Sequence, residues 1–362
     1  MKILHITESL GGGVYTYFRD LGEFIVANKY NNSYENILIY SPNRRELDKG
    51  KLQNELSTAY ALKEVQMTRE ISPIRDLIAF YKLVKLIKKI KPNIIHLHSS
   101  KAGVLGRIAA IFYPKAKVFY TPHGYAFTRM DISNLKKKFY LNIEKYMIKF
   151  FGGTTIACGD TEYKYASDMG SAVLIRNGVR PIVINNENKE RIEENSVTIG
   201  TIGRISAQKN PKLFNEIANF FPDINFIWIG DGELRNYLTS KNITVTGWID
   251  RQDVLKTADS FKIYIQTSLW EGLPFTILEA MSLGKPIVAT NVIGNKDAVS
   301  NEVNGYLCND SSQFRKAITK IIKNKDLQNQ FSLNSVERVN RDFNLKSNFK
   351  ALFETYSSNE IK

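Results

Sequence analysis

The chain has 362 residues, of which 43% are hydrophobic, and this is enough for two ordinary domain cores. Its net charge is +14, its two cysteines, Cys158 and Cys308, are far apart, and Met1 leads directly into a strand-like run without a signal-peptide pattern. These features argue against a disulfide framework, a paired-cysteine zinc site and a membrane-spanning helix, and they predict a two-domain cytoplasmic protein.

Strand-like runs alternate with amphipathic segments along the whole chain. The first set covers residues 2–6, 36–40, 93–98, 117–120 and 153–158, and the second covers residues 197–202, 225–229, 243–246, 261–266 and 286–290. Such alternation is typical of a parallel, doubly wound sheet, so its restart predicts an α/β protein with two sheets.

The two sets are separated by a polar tract at residues 185–195 that is rich in Asn, Glu and Lys. We therefore predict an N-terminal domain at residues 1–180, a linker at residues 181–196 and a C-terminal domain at residues 197–340. A last helix is expected within residues 341–362.

Positive charge is concentrated in the first half of the chain. Residues 1–180 hold 28 Lys+Arg against 15 Asp+Glu, or +13, whereas residues 181–362 hold 22 against 21, or +1. This asymmetry indicates a polyanionic partner, either nucleic acid or an anionic membrane. Since no helix-turn-helix, zinc-finger or RNA-binding signature is present, the membrane is the favoured partner.

Two basic helices lie in this half. In residues 73–91 the apolar positions Leu77, Phe80, Val84 and Ile87 predict an ordinary surface helix packed on a core. In residues 134–151 we expect an interfacial helix, because basic residues near anionic lipid gain about 1 kcal/mol each. Its apolar stripe and its lysines are Phe139, Ile143, Tyr146, Met147, Phe150, Lys136, Lys137, Lys138, Lys145 and Lys149.

The glycines Gly11, Gly12 and Gly13 directly follow the first predicted strand, at the carboxyl edge where open α/β sheets bind ligands. Their spacing is not the Gly-x-Gly-x-x-Gly of dinucleotide-binding proteins, and no acidic residue ends the second strand, so a dehydrogenase is disfavoured. A tight strand-to-helix turn explains each glycine equally well.

His96 and His98 share one face of a predicted strand, and His123 lies in a Thr-Pro-His-Gly turn. A metal triad lacks an identifiable second shell, so no metal site is predicted. His5 and His96 are expected to be packing residues, whereas His98, at the end of its strand, is expected to line the same site as His123.

The segment Gly203–Pro211 follows a strand and precedes a helix that Asn210 can cap and Pro211 can start. Arg204 offers a planar fork and Lys209 a point charge, which suits a diphosphate. Without a ligand, cations at the start of a helix are slightly unfavourable because the helix dipole repels them. Their presence here therefore favours a bound anion.

Two carboxylates, Glu271 and Glu279, stand eight positions apart in Ser268–Thr290. Pro274 suits the first turn of a helix and Gly284 its end, which places Glu271 in a loop and Glu279 inside the helix. A carboxylate accepts two hydrogen bonds in one plane, as the vicinal hydroxyls of a ribose or hexose require. Solvated surface glutamates at this spacing are also common.

Together with Ser268, Gly272, Pro274, Ala280, Gly284 and Pro286, these glutamates resemble the Glu-x7-Glu signature of family 4 of the retaining GT-B glycosyltransferases. The resemblance implies a GT-B fold: two Rossmann-like domains that face each other across a cleft, with the last helix crossing back to the first domain. It also implies that Glu271 faces the donor sugar, that Glu279 faces the nucleotide ribose, and that Arg204 and Lys209 contact the donor diphosphate.

Further roles follow from the same resemblance. His123 is expected over the donor sugar, and the catalytic set is His123, Arg204, Lys209 and Glu271. The remaining donor-binding residues are Gly12, Gly13, Trp248, Gly272, Leu273, Pro274 and Glu279. For Trp248, core packing is an equal alternative. The family often has a Gly-Gly-x-x-Glu turn where this chain has Ile293–Asp297, which leaves the phosphate contacts near Gly294 open.

The block Ile95–Ala110 resembles the capsule and O-antigen branch of the family, whose acceptors are undecaprenyl-diphosphate sugars. Its helix is expected to start with a serine cap at Ser99. The implied acceptor-binding residues are His98, Lys101, Arg107 and Arg129.

The function implied is retaining transfer of a sugar, with a UDP-sugar expected as donor, to a lipid-linked saccharide in bacterial surface polysaccharide synthesis. The protein is expected to lie on the inner face of the cell membrane as a peripheral protein and to need no cofactor or metal, since Gly230-Asp231-Gly232 is not an Asp-x-Asp triplet. Nucleic acid is not an expected partner. The alternatives are a nucleotide-sugar 2-epimerase of the same architecture and a noncatalytic sugar-nucleotide-binding protein.

Overall fold

The computed structural model describes residues 1–42, 49–68, 70–181 and 197–358. The chain forms two compact units, one comprising Met1–Asn177 with Lys346–Lys362 and the other comprising Gly178–Leu345. Each unit contains one parallel sheet with helices, so the predicted α/β class with two Rossmann-like domains is confirmed.

The sheet of the first unit has seven parallel strands in the order β3-β2-β1-β4-β5-β6-β7. The strands are Lys2–Thr7 (β1), Glu35–Tyr40 (β2), Ala61–Glu64 (β3), Ile94–His98 (β4), Lys117–Thr121 (β5), Thr154–Ala157 (β6) and Ala172–Leu174 (β7). The direction of strand order changes between β1 and β4, and this is the position at which open α/β sheets bind ligands.

In the described residues of the first unit, six helices connect these strands. They are Gly12–Ala27 (α1), Lys49–Leu56 (α2), Pro73–Ile90 (α3), Ser100–Ala110 (α4), Asn134–Phe151 (α5) and Asp160–Met169 (α6). Their core includes Leu83 and Ala109 against Leu97 of the sheet. A Cβ atom at Gly106 would lie 2.2 Å from Leu97 Cδ2, so a glycine is what lets α4 approach β4 closely.

The sheet of the second unit has six parallel strands in the order β10-β9-β8-β11-β12-β13. The strands are Thr198–Ile202 (β8), Asn225–Ile229 (β9), Ile243–Val245 (β10), Ile263–Gln266 (β11), Ile287–Thr290 (β12) and Gly305–Cys308 (β13). The order changes direction between β8 and β11, so the carboxyl ends of these two strands form the expected binding position.

The helices of the second unit are Pro211–Asn219 (α7), Arg251–Asp259 (α8), Phe275–Ser282 (α9), Asn295–Ala298 (α10), Ser311–Lys323 (α11) and Lys325–Asp342 (α12). Phe214 of α7 and Phe314 of α11 pack with Trp228 and Ile263 of the sheet. Asn210 caps α7 by accepting a hydrogen bond from Leu213 N, and Pro211 starts the helix, as predicted.

The last helix, Leu345–Ser357 (α13), belongs almost entirely to the first unit. It buries Phe349, Leu352, Phe353 and Tyr356. It lies within residues 341–362, where a last helix was expected, and starts at Leu345 because α12 continues to Asp342.

The compact units divide the chain after Asn177 instead of after residue 180. Val179 N donates to Phe343 O and Leu345 N donates to Val179 O, so Val179 is bonded within the second unit. Except for Pro181, the predicted linker lies outside the described residues.

The apolar pattern predicted α3 to within one residue, since the helix ends at Ile90 instead of residue 91. Of the four apolar positions named for its packed face, Ile87 is buried and Phe80 and Val84 are partly buried against the core, whereas Leu77 is exposed. This helix carries apolar residues on more than one side, so periodicity alone does not settle every position. No helix in the described ranges combines the length and the hydrophobicity that crossing a bilayer requires.

Candidate active site

Lys209 and Glu271 meet at the carboxyl ends of β8 and β11. Lys209 ends a short 3-10 turn, Ala207–Lys209, and Glu271 lies in the loop after β11. Lys209 Nζ donates to Glu271 Oε1 at 2.7 Å, and the side chains are 17% and 9% exposed. Two of the side chains predicted to bind the donor therefore form a largely buried ion pair at the binding position of the sheet.

Two glutamines complete the surroundings of the Glu271 carboxylate. Gln266 Nε2 donates to Glu271 Oε1 at 3.1 Å, and Gln208 Nε2 lies 3.3 Å from Glu271 Oε2. Leu269 N also donates to Gln208 O, and Thr267 Oγ1 donates to Lys209 O, so the two loops are tied together. Sequence analysis missed both glutamines, because an uncharged amide outside a motif carries no signal.

Arg204 forms an ion pair with Glu233. Its Nε lies 3.1 Å from Glu233 Oε2, and both of these side chains are about half exposed, so the pair is well screened by solvent. The loop that carries Arg204 is fixed by Trp228, whose Nε1 donates to Gly203 O at 2.7 Å.

Glu279 lies inside α9 and Glu271 in the preceding loop, as predicted. Pro274 stands just before the helix instead of in its first turn, and Gly284 ends it with a φ of +67°. Glu279 is buried, and Arg251 Nη2 contacts its Oε1 at 2.6 Å. The predicted ribose carboxylate thus has an arginine partner that the sequence did not suggest.

Gly294 lies against the loop of Glu271. A Cβ atom at Gly294 would stand 2.2 Å from Gly272 O and 2.8 Å from Glu271 Cβ. The turn that departs from the family pattern therefore packs on the loop of Glu271, and only glycine fits there. Gly272 is partly buried, and Leu273 is buried.

Trp248 is 67% exposed. The alternative of core packing is therefore wrong for this residue. An exposed indole beside a sheet edge remains suited to stacking on a base.

In the first unit the glycine triplet follows β1, and Gly12 and Gly13 are exposed at the start of α1. Gly12 has a φ of +53°, which favours glycine. Beside it, the buried Glu8 accepts a hydrogen bond from Ser99 Oγ. The predicted serine cap of α4 is therefore not formed by the Ser99 side chain, because its hydroxyl is directed to Glu8.

All four histidines of the chain cluster at the β1–β4 position. His98 joins His5 and His123 through nitrogen contacts of 3.1 and 3.0 Å, and His96 contacts Tyr356 and Thr121. Because His98 is fully buried and both of its ring nitrogens are engaged, its assignment to the acceptor is wrong. Burial lowers the pKa of His5 and of His123 to about 3. Burial, and then the neighbouring histidines, hold the pKa of His96 and of His98 well below its usual range. The cluster is therefore uncharged at neutral pH.

Two family models match the chain, "Glycosyl transferase 4-like" over residues 16–158 and "Glycosyl transferases group 1" over residues 183–338. The chain is 34% identical over 325 residues to the UDP-Gal:alpha-D-GlcNAc-diphosphoundecaprenol alpha-1,3-galactosyltransferase of Escherichia coli, covering 80% of this chain and 81% of that protein. It belongs to the family 4 glycosyltransferases.

Other relatives agree with this assignment. The capsular polysaccharide biosynthesis glycosyltransferase CapM of Staphylococcus aureus is 24% identical, over 81% of this chain and 84% of its own length. The sucrose-phosphate synthase of Thermosynechococcus elongatus has a TM-score of 0.81 at 18% identity, over 98% of each chain. A structure of Anabaena HepE with UDP and glucose has a TM-score of 0.77 at 20% identity, over 99% of each chain. These two structures support the GT-B fold.

In this glycosyltransferase Arg107 lies in the interior, which corrects its assignment to the acceptor. Its guanidinium stacks 4.2 Å from the Tyr120 ring centroid and contacts Glu144 of α5 at 3.6 Å. Burial raises the pKa of Glu144, while Arg107 and a hydrogen bond from Tyr120 oppose that rise. Since Arg107 is only 1% exposed, its role is to hold α4 and α5 together.

The other predicted acceptor cations of the glycosyltransferase have local carboxylate partners. Lys101 Nζ contacts Asp76 at 2.6 Å and donates to Glu70 O. Arg129 binds both carboxylate oxygens of Asp131. Both remain predictions as acceptor residues, and Lys101 is the more buried of the two.

We predict that Arg107→Ala lowers the free energy of unfolding of the glycosyltransferase by about 3–5 kcal/mol, because Glu144 keeps a buried charge without its partner. Adding Glu144→Gln, which leaves an oxygen for Tyr120, should recover most of this loss. Urea denaturation measures both variants. If Arg107→Ala kept its stability and lost only sugar transfer, the assignment of Arg107 to the acceptor would be correct after all.

Proposed function

We propose that this glycosyltransferase moves a sugar from a UDP-sugar to a saccharide on undecaprenyl diphosphate during bacterial surface polysaccharide synthesis. The observation that carries the proposal is the Lys209–Glu271 pair at the β8–β11 position. A cation for a diphosphate and a carboxylate for sugar hydroxyls stand together there. The name of the Escherichia coli relative gives such a donor and acceptor, and the HepE structure contains UDP.

The transfer we propose retains the anomeric configuration. The bond between the sugar C1 and the diphosphate oxygen breaks, and a bond from C1 to the acceptor oxygen forms on the same face. The acceptor proton passes to an oxygen of the departing diphosphate, so no protein nucleophile takes part. Lys209 and Arg204 stabilise the negative charge that develops on the diphosphate, and such stabilisation is usually the largest catalytic contribution.

Donor binding then rearranges two ion pairs. Lys209 turns from Glu271 toward the diphosphate, which leaves Glu271 to accept from sugar hydroxyls while Gln266 and Gln208 still hold it. Glu279 takes the ribose hydroxyls in place of Arg251. His123, Gly12 and Gly13 are kept as proposed contacts of the sugar and the phosphate, and Trp248 as the residue that stacks on the base.

We further propose that the reaction needs no metal ion. In the described part of the chain, the group of three side chains arranged to share a metal is His5, His96 and His98, in the first unit. The charge that a divalent cation supplies in other transferases is supplied here by Arg204 and Lys209.

The two alternative functions are not favoured, because the named relatives that match most of the chain are glycosyltransferases. An epimerase would convert UDP-N-acetylglucosamine to its 2-epimer without an acceptor. A noncatalytic partner would bind UDP and release none from any donor.

A donor screen tests the proposal. UDP-, GDP- and dTDP-sugars are incubated with lipid-diphosphate saccharides, with and without EDTA, and nucleotide release is measured. We expect UDP release that requires the acceptor and withstands EDTA, and a product whose anomeric NMR coupling matches that of the donor. Release of GDP or dTDP alone, an inverted product or loss of activity in EDTA contradicts the corresponding part of the proposal.

The Lys209–Glu271 pair allows catalysis to be separated from stability. Lys209→Met should abolish transfer and lower the free energy of unfolding by about 1–3 kcal/mol, because a largely buried carboxylate loses its charged partner. The double variant with Glu271→Gln should regain part of this stability but not transfer, since the introduced amide is uncharged and its single oxygen can still accept from one of the two glutamines, Gln266 or Gln208. Recovery of transfer in the double variant would show that the pair is only structural.

We also propose that the first unit contacts an anionic membrane through α5. Leu135, Phe139, Tyr146 and Phe150 are exposed there, beside the lysines of the same helix. On α3, Ile74, Leu77, Ile78 and Tyr81 form a second exposed apolar stripe. Aromatic residues flanked by lysines suit the boundary between lipid headgroups and acyl chains.

The α5 proposal is tested by cosedimentation with phosphatidylglycerol vesicles. Replacing Phe139, Tyr146 and Phe150 with serine should weaken binding by at least about 10-fold, because apolar surface no longer enters the lipid. Leu333→Ser on α12 removes a similarly exposed apolar side chain and should leave binding unchanged. Equal losses in both proteins would rule out α5 as the contact.

A further inference from the structure

Three histidines of the first unit form a continuous row. His5 comes from β1, His98 ends β4, and His123 lies in the turn after β5. His5 Nδ1 lies 3.1 Å from His98 Nε2, and His98 Nδ1 lies 3.0 Å from His123 Nε2. Each contact thus joins an Nδ1 atom to an Nε2 atom, in the same sense along the row.

The number of protons that the three rings carry restricts the tautomers that they can adopt together. The three rings are uncharged at neutral pH, so each carries one N–H and one bare nitrogen. Each contact needs one N–H facing one bare nitrogen. Because the contacts run in the same sense, only two arrangements satisfy both of them: all three rings protonated at Nδ1, or all three protonated at Nε2.

We propose that this row ties the tautomer of His123 to those of His98 and His5, so that His5 and His98 are positioning residues for the nitrogen that His123 presents to the donor sugar. That nitrogen is Nδ1, since Nε2 is taken by His98. The tautomer decides whether His123 donates to a sugar hydroxyl or accepts from it. The link to the sugar rests on the proposed function, whereas the row itself does not.

Packing holds the rings in place. The Phe18 ring lies 4.7 Å from His98 and the Tyr17 ring 5.0 Å from His123, centroid to centroid. His123 has a φ of +53°, and the next amide, Gly124 N, donates to Glu162 Oε1 at 2.8 Å, which anchors the turn. In such aromatic surroundings a nitrogen that loses its partner is left unsatisfied, so breaking one contact is costly.

A metal site is the competing explanation, because nitrogens of His5, His96 and His98 lie within 4.8 Å of one another. His96, however, directs Nδ1 to Tyr356 OH and Nε2 to Thr121 Oγ1. A metal ion would have to separate the facing nitrogens of His5 and His98 and break a bond of His96. Hydrogen bonding satisfies these groups without such changes.

The tautomers are read directly by ¹⁵N NMR of histidine-labelled protein without substrate. The chain has only four histidines, and single substitutions assign their signals. We expect His5, His98 and His123 to show the same tautomer. A mixed set among the three overturns the row, and so does zinc that copurifies in equimolar amount and is lost in His98→Gln.

Two substitutions of His98 separate its two contacts. Asparagine places an amide atom near the position of Nδ1, whereas glutamine reaches the position of Nε2. His98→Asn should therefore keep the contact to His123 and most of kcat. His98→Gln should leave His123 in mixed tautomers and lower kcat roughly 10- to 100-fold, as loss of an orienting partner does, with the Kd for UDP unchanged.

His96→Gln is the matched control, since His96 lies on the same strand face but outside the row. It should reduce thermal stability without changing the tautomer of His123. Equal kcat losses in His98→Asn and His98→Gln would overturn the positioning role. If no donor is turned over by the unmodified protein, the proposed function fails, and the NMR result still decides the row.

Discussion

The contact between Lys209 and Glu271 requires two loops to arrive at one point from strands that are adjacent in space but about sixty residues apart in sequence. Removing two charges from water is unfavourable unless they meet with good geometry and their remaining hydrogen-bonding groups also find partners. Gln266 and Gln208 supply those bonds, and the hydrogen bonds from Leu269 N to Gln208 O and from Thr267 Oγ1 to Lys209 O hold the two loops together. The position of β8 beside β11 is thus what makes a polar site stable at this edge.

Most of the fold could be predicted from the sequence, because long apolar runs and their flanking glycines carry a strong signal. The ten predicted strands are present with shifts of at most two residues at either end, whereas the short strands at Ala61, Ala172 and Gly305 were not predicted. Two of these, β3 and β7, lie at the edges of their sheet and contain no buried residue, so their pattern resembles that of a loop.

The site could be predicted in its residue types but not in its pairings. Arg204, Lys209, Glu271 and Glu279 were found from spacing and resemblance, yet nothing in the sequence indicated Glu233 or Arg251 as partners. The assignment of Arg107 to the acceptor was wrong for a different reason. A cation on a helix is normally solvated, and only the packed structure places it over Tyr120 and beside Glu144.

Glu144 also constrains the helix that carries it. One side of α5 presents aromatic rings to solvent, while Glu144 and Ile148 point into the interior. Rolling or lifting the helix would drag a carboxylate away from Arg107 and out of its enclosed site. The Arg107–Glu144 contact therefore fixes how α5 is oriented in the first unit, and with it the side of the helix that faces solvent.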